Sequence, residues 1–126
     1  MPDFHHSAVP RSLRVAEEVQ RILGEVFLNK VTIFSAGMLT VTHVDITKDL
    51  SIAKVYLSFL NPSAPKEEIL QELIRRRKEV RYHMGAALRT KYVPELRFYL
   101  DESVERSARI QALLEELHLD QTAAKR

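Results

Sequence analysis

Two consecutive strand patterns in the middle of the chain restrict its fold more than any other feature. Residues 52–60 alternate strictly, which places Ala53, Val55, Leu57 and Phe59 on one face of a strand. The preceding segment 39–46 is rich in β-branched residues, but its apolar parity changes between Val41 and Val44, as a β-bulge requires. Residues 47–51 between them are polar turn formers, so the two segments predict an antiparallel hairpin.

Helical periodicity lies on both sides of this hairpin. Residues 11–28 carry apolar side chains at steps of four, three and four, which predicts one amphipathic helix. Pro65 with Glu67 and Glu68 marks a second helical start, and the basic run 75–78 interrupts the apolar stripe that follows. This stretch predicts two helices or one bent helix that ends near Tyr92, because Pro94 cannot continue it.

A third alternating strand, 95–100, and a last helix complete the pattern. The helix follows Asp101 and carries an apolar stripe, which we expect to cover the sheet; its members are Ile110, Leu113, Leu114 and Leu117. The order α-β-β-α-α-β-α predicts a single α+β domain in which helices cover one face of a small sheet. We expect the domain to span residues 11–117, between flexible segments 1–10 and 118–126.

Composition excludes several classes of protein. The chain has no cysteine, so disulfides and thiolate zinc sites are absent, and its three glycines are too scattered for a phosphate-binding loop. No apolar run exceeds three residues and the first residues do not resemble a signal peptide, so we expect a cytoplasmic protein without a membrane span. The five histidines have no metal-ligand spacing and no serine lies in a nucleophile motif. We therefore expect no catalytic residue, metal, cofactor or small-molecule substrate.

The basic residues are concentrated between Arg75 and Arg97. This stretch holds eight basic residues against two acidic ones, a local charge of +6, although the whole chain carries only +2. A basic stripe on helical turns is typical of a protein that binds a phosphate backbone, and Tyr82, Tyr92 and Tyr99 are interleaved where a base can stack. A solvated helix face would show the same four-residue basic run, so both interpretations remain open.

Several segments together resemble the bacterial ribosome-binding factor A family. They are residues 11–16, the segment from Val41 through Lys48–Tyr56, Val80 with Arg81 and Arg89, the segment 93–98, and Asp101–Ser103. The resemblance covers about residues 11–117, and its segments 48–56 and 93–98 are specific only in combination.

The resemblance implies a single KH-like domain of type II, with α-β-β-α-α-β order and an extra C-terminal helix. It also implies a non-enzymatic factor for ribosome biogenesis, which binds the small (30S) ribosomal subunit and its 16S rRNA during late assembly. Such a factor assists rRNA processing at the 5′ end region and supports cold adaptation. We expect a monomer.

RNA binding is then expected on the two consecutive helices. The predicted rRNA-binding residues are Arg75, Arg76, Arg77, Lys78, Arg81, Arg89 and Lys91, with Arg11 and Arg14 as a second contact. Two differences from related domains concern this surface and its neighbour. Arg76-Arg77-Lys78 stands where KH domains carry G-x-x-G and the family an Ala-x-Gly kink, and the loop 29–37 lacks the family's frequent Asp-Pro-Arg.

Two other functions are compatible with the sequence. The first is a protein-interaction module that pairs through the apolar stripe of the last helix, with a partner or with itself. The second is an rRNA-modifying enzyme, which would require an acceptor pocket that no motif of the sequence indicates.

Overall fold

The computed structural model describes residues 9–124, so most of the predicted N-terminal segment 1–10 and the last two residues lie outside it. The helices and strands follow the predicted order. They are α1 (Arg11–Asn29), a short 3-10 turn (Phe34–Ala36), β1 (Met38–Ile46), β2 (Ile52–Leu60), α2 (Lys66–Arg75), α3 (Arg77–Ala87), β3 (Glu95–Leu100) and α4 (Ser103–Ala124).

Helix α1 forms because its apolar positions share one face, and that face is buried. Its buried side chains are Val15, Ala16, Val19, Ile22, Leu23, Val26 and Phe27. The helix starts after Pro10, whose carbonyl accepts hydrogen bonds from the amides of Leu13 and Arg14 at 3.1 and 3.3 Å. At its other end, the amides of Lys30 and Val31 both donate to the carbonyl of Val26, which terminates the helix.

The predicted hairpin and its bulge are both confirmed. Strands β1 and β2 pair antiparallel, and the register shifts between Val41 and His43, so Thr42 is the additional residue. The amide of Gln20 in α1 donates to the carbonyls of Val41 and Thr42, at 3.2 and 3.4 Å. The backbone oxygens at the bulge therefore have partners although the ladder is interrupted there.

The turn between the strands depends on one carboxylate. Oδ1 of Asp49 accepts hydrogen bonds from the hydroxyls of Thr47 and Ser51, both at 2.7 Å, and from the amide of Ser51 at 3.1 Å. The hydrogen bond from Thr47, followed by those from Ser51, lowers the pKa of Asp49. Leu50 has a positive φ of 62° within this turn.

Two helices rather than one connect β2 to β3. Helix α2 ends at Arg75 and α3 begins at Arg77, because Arg76 between them has φ −95° and ψ 12°. The expected end near Tyr92 is wrong, since α3 stops at Ala87 and Leu88 turns to an extended conformation that buries its side chain. Strand β3 then pairs parallel to β2, giving the sheet order β1-β2-β3.

The helices α1, α2 and α3 lie on one face of the sheet and enclose the core. The core face of the strands carries the predicted alternate residues, including Val55, Leu57 and Phe98, all buried. The opposite face carries a row of neighbouring rings, in which His43 and Tyr56 are 5.8 Å apart and Tyr56 and Tyr99 are 5.5 Å apart. One-sided coverage of the sheet is thus confirmed.

Helix α4 does not cover the sheet, which corrects the expectation. Its apolar stripe is 51–61% exposed and consists of Ile110, Leu113, Leu114 and Leu117. The end of β3 is fixed instead by Asp101, whose amide donates to the carbonyl of Leu57 at 2.8 Å and whose side chain accepts from the hydroxyl of Thr42 at 2.7 Å. The helix starts immediately beyond this anchor and continues past His118, where we expected a flexible tail to begin, to Ala124.

Candidate nucleic-acid interface

Arg76 holds the junction between α2 and α3 together. Its guanidinium donates to both carboxylate oxygens of Glu79, at 3.0 and 3.2 Å, and to the carbonyl of Thr32, at 3.0 Å. The two-pronged pair lowers the pKa of Glu79 mainly through the hydrogen bond from Arg76, and the same bond raises the pKa of Arg76. Arg76 therefore connects the junction to the loop after α1, and three of its five N–H groups are already engaged.

Arg81 has a similar structural task further along α3. Its Nη2 donates to the carbonyl of Val93 at 2.7 Å and its Nε to the carbonyl of Pro94 at 3.2 Å. These bonds hold the segment between α3 and β3 against the helix. Arg81 remains exposed, but its guanidinium is already bound to two backbone carbonyls of this segment.

An open groove of about 750 Å³ lies between α3 and this loop. The helix contributes Lys78, Arg81, Tyr82, Gly85 and Ala86, and the loop contributes Lys91, Tyr92 and Val93. Positions 78, 81, 82 and 85 follow the spacing i, i+3, i+4, i+7, so they form one stripe of the helix. The groove has three basic residues, two tyrosines and no acidic residue in its lining.

The loop approaches helix α3 closely at Gly85, one of the residues that line the groove. A Cβ built on Gly85 would lie 3.0 Å from Cγ2 of Val93, which is tighter than ordinary packing allows. The sequence interpretation missed both Gly85 and Val93. The spacing from Lys78 to Gly85 was the available signal, since it places Gly85 on the helix face that carries Lys78, Arg81 and Tyr82.

The other predicted cations do not line the groove, and Arg97 of the basic stretch does not either. Arg77 is the first residue of α3, and Arg89 follows the end of α3. Arg75 shares a shallow surface depression on α2 with Glu67, Glu68 and Gln71. Arg11 and Arg14 are in the first turn of α1, whereas Ile22 and Val26 near its other end line a groove with Tyr82. At 1.5 Å per residue, Arg11 is about 16 Å along the axis from Ile22. Arg97 lies on the bare face of the sheet.

Several of the predicted cations have no protein partner in the part of the chain that the structure describes. Among the described side chains, those of residues 9–103 and 106–118, no ion pair or hydrogen bond is found for the charged groups of Arg75, Arg77, Lys78 and Arg89. Nζ of Lys91 lies 5.5 Å from the ring centroid of Tyr92. Lys78 and Lys91 line the groove together with the exposed rings of Tyr82 and Tyr92.

The described residues offer no support for a metal centre or a membrane span. Among the side chains that the structure describes, which are those of residues 9–103 and 106–118, no three His, Asp or Glu come together as ligands would. The helices over the same residues include none whose apolar stretch could cross a bilayer.

These features define a small α+β domain with one basic, tyrosine-bearing surface and one bare sheet face. The model of the family "Ribosome-binding factor A" matches residues 11–114. The ribosome-binding factor A of Staphylococcus carnosus (strain TM300) is 33% identical over 108 residues, which cover 86% of this chain and 94% of the relative. The chain belongs to the ribosome-binding factor A family.

Solved structures of the family have the same fold. The crystal structure of ribosome-binding factor A from Thermus thermophilus superimposes with a TM-score of 0.61 at 22% identity, covering 71% of this chain and 94% of that one. A homology model of the Thermus thermophilus factor, fitted into a cryo-EM map of a 30S complex, gives a TM-score of 0.59 at 22% identity, covering 69% and 91%.

Proposed function

We propose that the protein binds the free small ribosomal subunit and assists its late maturation without catalysing a reaction itself. Membership of the ribosome-binding factor A family carries this proposal, because the match extends over residues 11–114. The structural neighbour fitted into a 30S complex supports the same partner. The proposal includes the cytoplasm as location, the 5′ end region of 16S rRNA as the region that matures, and a role in growth at low temperature.

The surface that we assign to rRNA is the basic face of α2, α3 and the loop after α3. Lys78 and Lys91, which line the groove, are its central cations. Arg77 begins α3, Arg89 follows α3 and Arg75 ends α2, while Arg11 and Arg14 form a separate contact on α1. Arg76 and Arg81 contribute charge and hold this surface in shape. This surface also exposes Tyr82 and Tyr92, and a helix face that only contacts water gives no reason for exposed tyrosines.

We also propose a KH-like arrangement of type II, in which the two consecutive helices form the nucleic-acid side. The break at Arg76 supports this arrangement, because it gives the chain a bend where related domains have a glycine-containing junction. The clamp between Arg76, Glu79 and Thr32 fixes the bend by side-chain hydrogen bonds. The junction thus adds a cationic surface where a G-x-x-G clamp would present bare backbone.

Sedimentation through a sucrose gradient tests the partner. Lysate from the source cells is separated into free small subunits, large subunits, intact ribosomes and the soluble fraction, and the protein is detected in each. We expect it with free small subunits. Detection only in the soluble fraction would contradict the proposed function.

The salt dependence of RNA affinity tests the surface. With about four phosphates engaged, the plot of log K against log[salt] has a slope of roughly −3. Replacing Lys78, Arg89 and Lys91 by Gln should bring the slope to roughly −1, since each lost phosphate contact removes about 0.7 to 0.9. Lys54→Gln, on the bare sheet face, is the matched control and should leave the slope unchanged. Equal slopes for all variants would remove this surface from the proposal.

The exposed stripe of α4 favours a second candidate function, pairing of the protein with another copy. Arg109 and Glu116 are seven residues apart and lie on the same side of the stripe. Antiparallel pairing would bring Arg109 of each copy against Glu116 of the other, which parallel pairing would not. Sedimentation equilibrium distinguishes a monomer from this dimer; Glu116→Arg should abolish the dimer, and adding Arg109→Glu should restore it.

A further inference from the structure

Two largely exposed tyrosines lie on the walls of one groove. Tyr82 is 73% exposed and Tyr92 is 72% exposed, and they come from different elements, α3 and the loop after it. Burying a tyrosine ring is strongly favourable, so folding alone gives no reason to leave two of them exposed at one place. By contrast, Tyr56 and Tyr99 stack on each other across two strands on the bare sheet face.

The loop that carries Tyr92 is fixed rather than free. Arg81 donates to the carbonyls of Val93 and Pro94, the two residues that follow Tyr92. On the other side, the hydroxyl of Thr90 donates to the carbonyl of Tyr92 itself at 2.8 Å. The backbone at Tyr92 is therefore tied down from both sides, so a ligand that contacts the ring meets a preorganised wall.

Each tyrosine has a lysine beside it. Lys78 precedes Tyr82 by four residues, one helical turn, and Nζ of Lys91 lies 5.5 Å from the ring centroid of Tyr92. The lining contains no acidic residue that would repel a phosphate. Aromatic rings interleaved with cations along a groove are the pattern by which proteins bind single-stranded nucleic acid, through base stacking and phosphate contacts together.

We propose that this groove binds an unpaired RNA nucleotide, whose base stacks on Tyr82 or Tyr92 while Lys78 and Lys91 contact the adjacent phosphates. This inference rests on the proposed function, which identifies the RNA as rRNA. It adds that the recognised segment of that rRNA is single-stranded. A paired A-form segment keeps its bases stacked inside the helix and offers these rings no face to stack on. It would use the lysines only.

Stacking and charge can be separated experimentally. Loss of a stacked ring lowers the RNA affinity without changing its salt dependence, whereas loss of a cation changes the salt dependence as well. The full chain is titrated into a ten-nucleotide single-stranded RNA that contains 2-aminopurine, whose fluorescence is quenched on stacking. Tyr82→Leu and Tyr92→Leu keep the charge and should weaken binding by about 5- to 100-fold for the ring that stacks, with the salt slope unchanged. The corresponding Phe variant should retain the affinity and the quenching.

Two controls make the test specific. Tyr99→Leu removes a tyrosine from the bare sheet face and should leave the RNA affinity within about twofold. A ten-base-pair RNA duplex should bind wild type and both groove variants equally. Thermal unfolding of each variant verifies the fold, which we expect to survive because both rings are exposed.

The outcomes separate this inference from the proposed function. If neither groove Leu variant loses single-strand affinity, or if the duplex loses as much as the single strand, the inference is overturned. Sedimentation with free small subunits would still support the proposed function in that case. If at least one of the two tyrosines is needed for single-stranded RNA but the protein does not sediment with small subunits, the inference stands and the proposed function fails.

Discussion

The three glycines of this chain allow one chemical change, glycine to alanine, to be predicted with different signs at different sites. At Gly37 the backbone has φ 65° and ψ −123°, a region that alanine avoids. An added Cβ would also overlap the carbonyl oxygen of Leu60 and lie 2.5 Å from that of Asn61. Backbone strain costs about 1–3 kcal/mol. With the steric overlap, Gly37→Ala should lower the free energy of unfolding by about 3–5 kcal/mol.

The other two glycines serve as internal controls for this magnitude. A Cβ on Gly24 meets nothing within 4 Å, so Gly24→Ala in α1 should raise the unfolding free energy by about 0.5–1 kcal/mol. Gly85→Ala gains the same helix propensity, but its Cβ would lie 3.0 Å from Cγ2 of Val93, so the two effects oppose each other and the unfolding free energy should stay within about 1 kcal/mol of wild type.

Urea unfolding followed by circular dichroism measures all three differences. Thermal unfolding should place the midpoint of Gly24→Ala above wild type and that of Gly37→Ala roughly 10–20 °C below wild type, with Gly85→Ala between these two variants. A Gly37→Ala protein within about 0.5 kcal/mol of wild type would refute the reasoning. So would a Gly24→Ala protein that is less stable than wild type.

Three further predictions concern other side chains. Arg81→Lys keeps the charge but cannot make the same two-pronged contact with the carbonyls of Val93 and Pro94, so hydrogen exchange should accelerate at the next amide, that of Glu95, which donates to the carbonyl of Ser51, while the core amides stay protected. Hydrogen bonds, chiefly from Ser103 and then from Thr42, lower the pKa of Asp101 in the folded state, so its contribution to stability is present at neutral pH and is lost as pH falls below about 4. Asp101→Asn should therefore flatten the acid limb of the stability-against-pH curve, and an unchanged acid limb would contradict this. Leu113→Ser should change the unfolding free energy by less than about 0.5 kcal/mol because the side chain is exposed, and a larger loss would show that α4 packs on the domain.

The elements of the fold were predictable because they depend on local patterns. Strict alternation located β2, and the steps of four and three located α1. A change of parity placed a bulge between Val41 and Val44, and the structure locates it at Thr42. The end of α3 was not predictable in this way. Tyr92 follows three residues that could continue a helix, and only the burial of Leu88 in the core turns the chain earlier.

The candidate site was predictable as a region but not as a geometry. Local charge indicated residues 75–97, and the interleaved tyrosines indicated a stacking function. Sequence cannot show which guanidinium groups donate hydrogen bonds to backbone carbonyls that are distant in the chain, as those of Arg76 and Arg81 do. It also grouped Tyr99 with Tyr82 and Tyr92, although strand pairing places Tyr99 on the bare sheet face.

The parallel pairing of β3 with β2 has a kinetic consequence for the groove. The hairpin of β1 and β2 closes through residues 47–51 alone. Strand β3 can pair with β2 only after residues 61–94, which contain two helices, have closed a much longer loop. Contacts between distant residues form late because loop closure must come first. The groove lies between α3 and the loop that leads into β3. We therefore expect the groove to form in the last step of folding. A substitution that loosens β3 should then accelerate unfolding more than it slows folding, and RNA should bind only to chains that have completed this step.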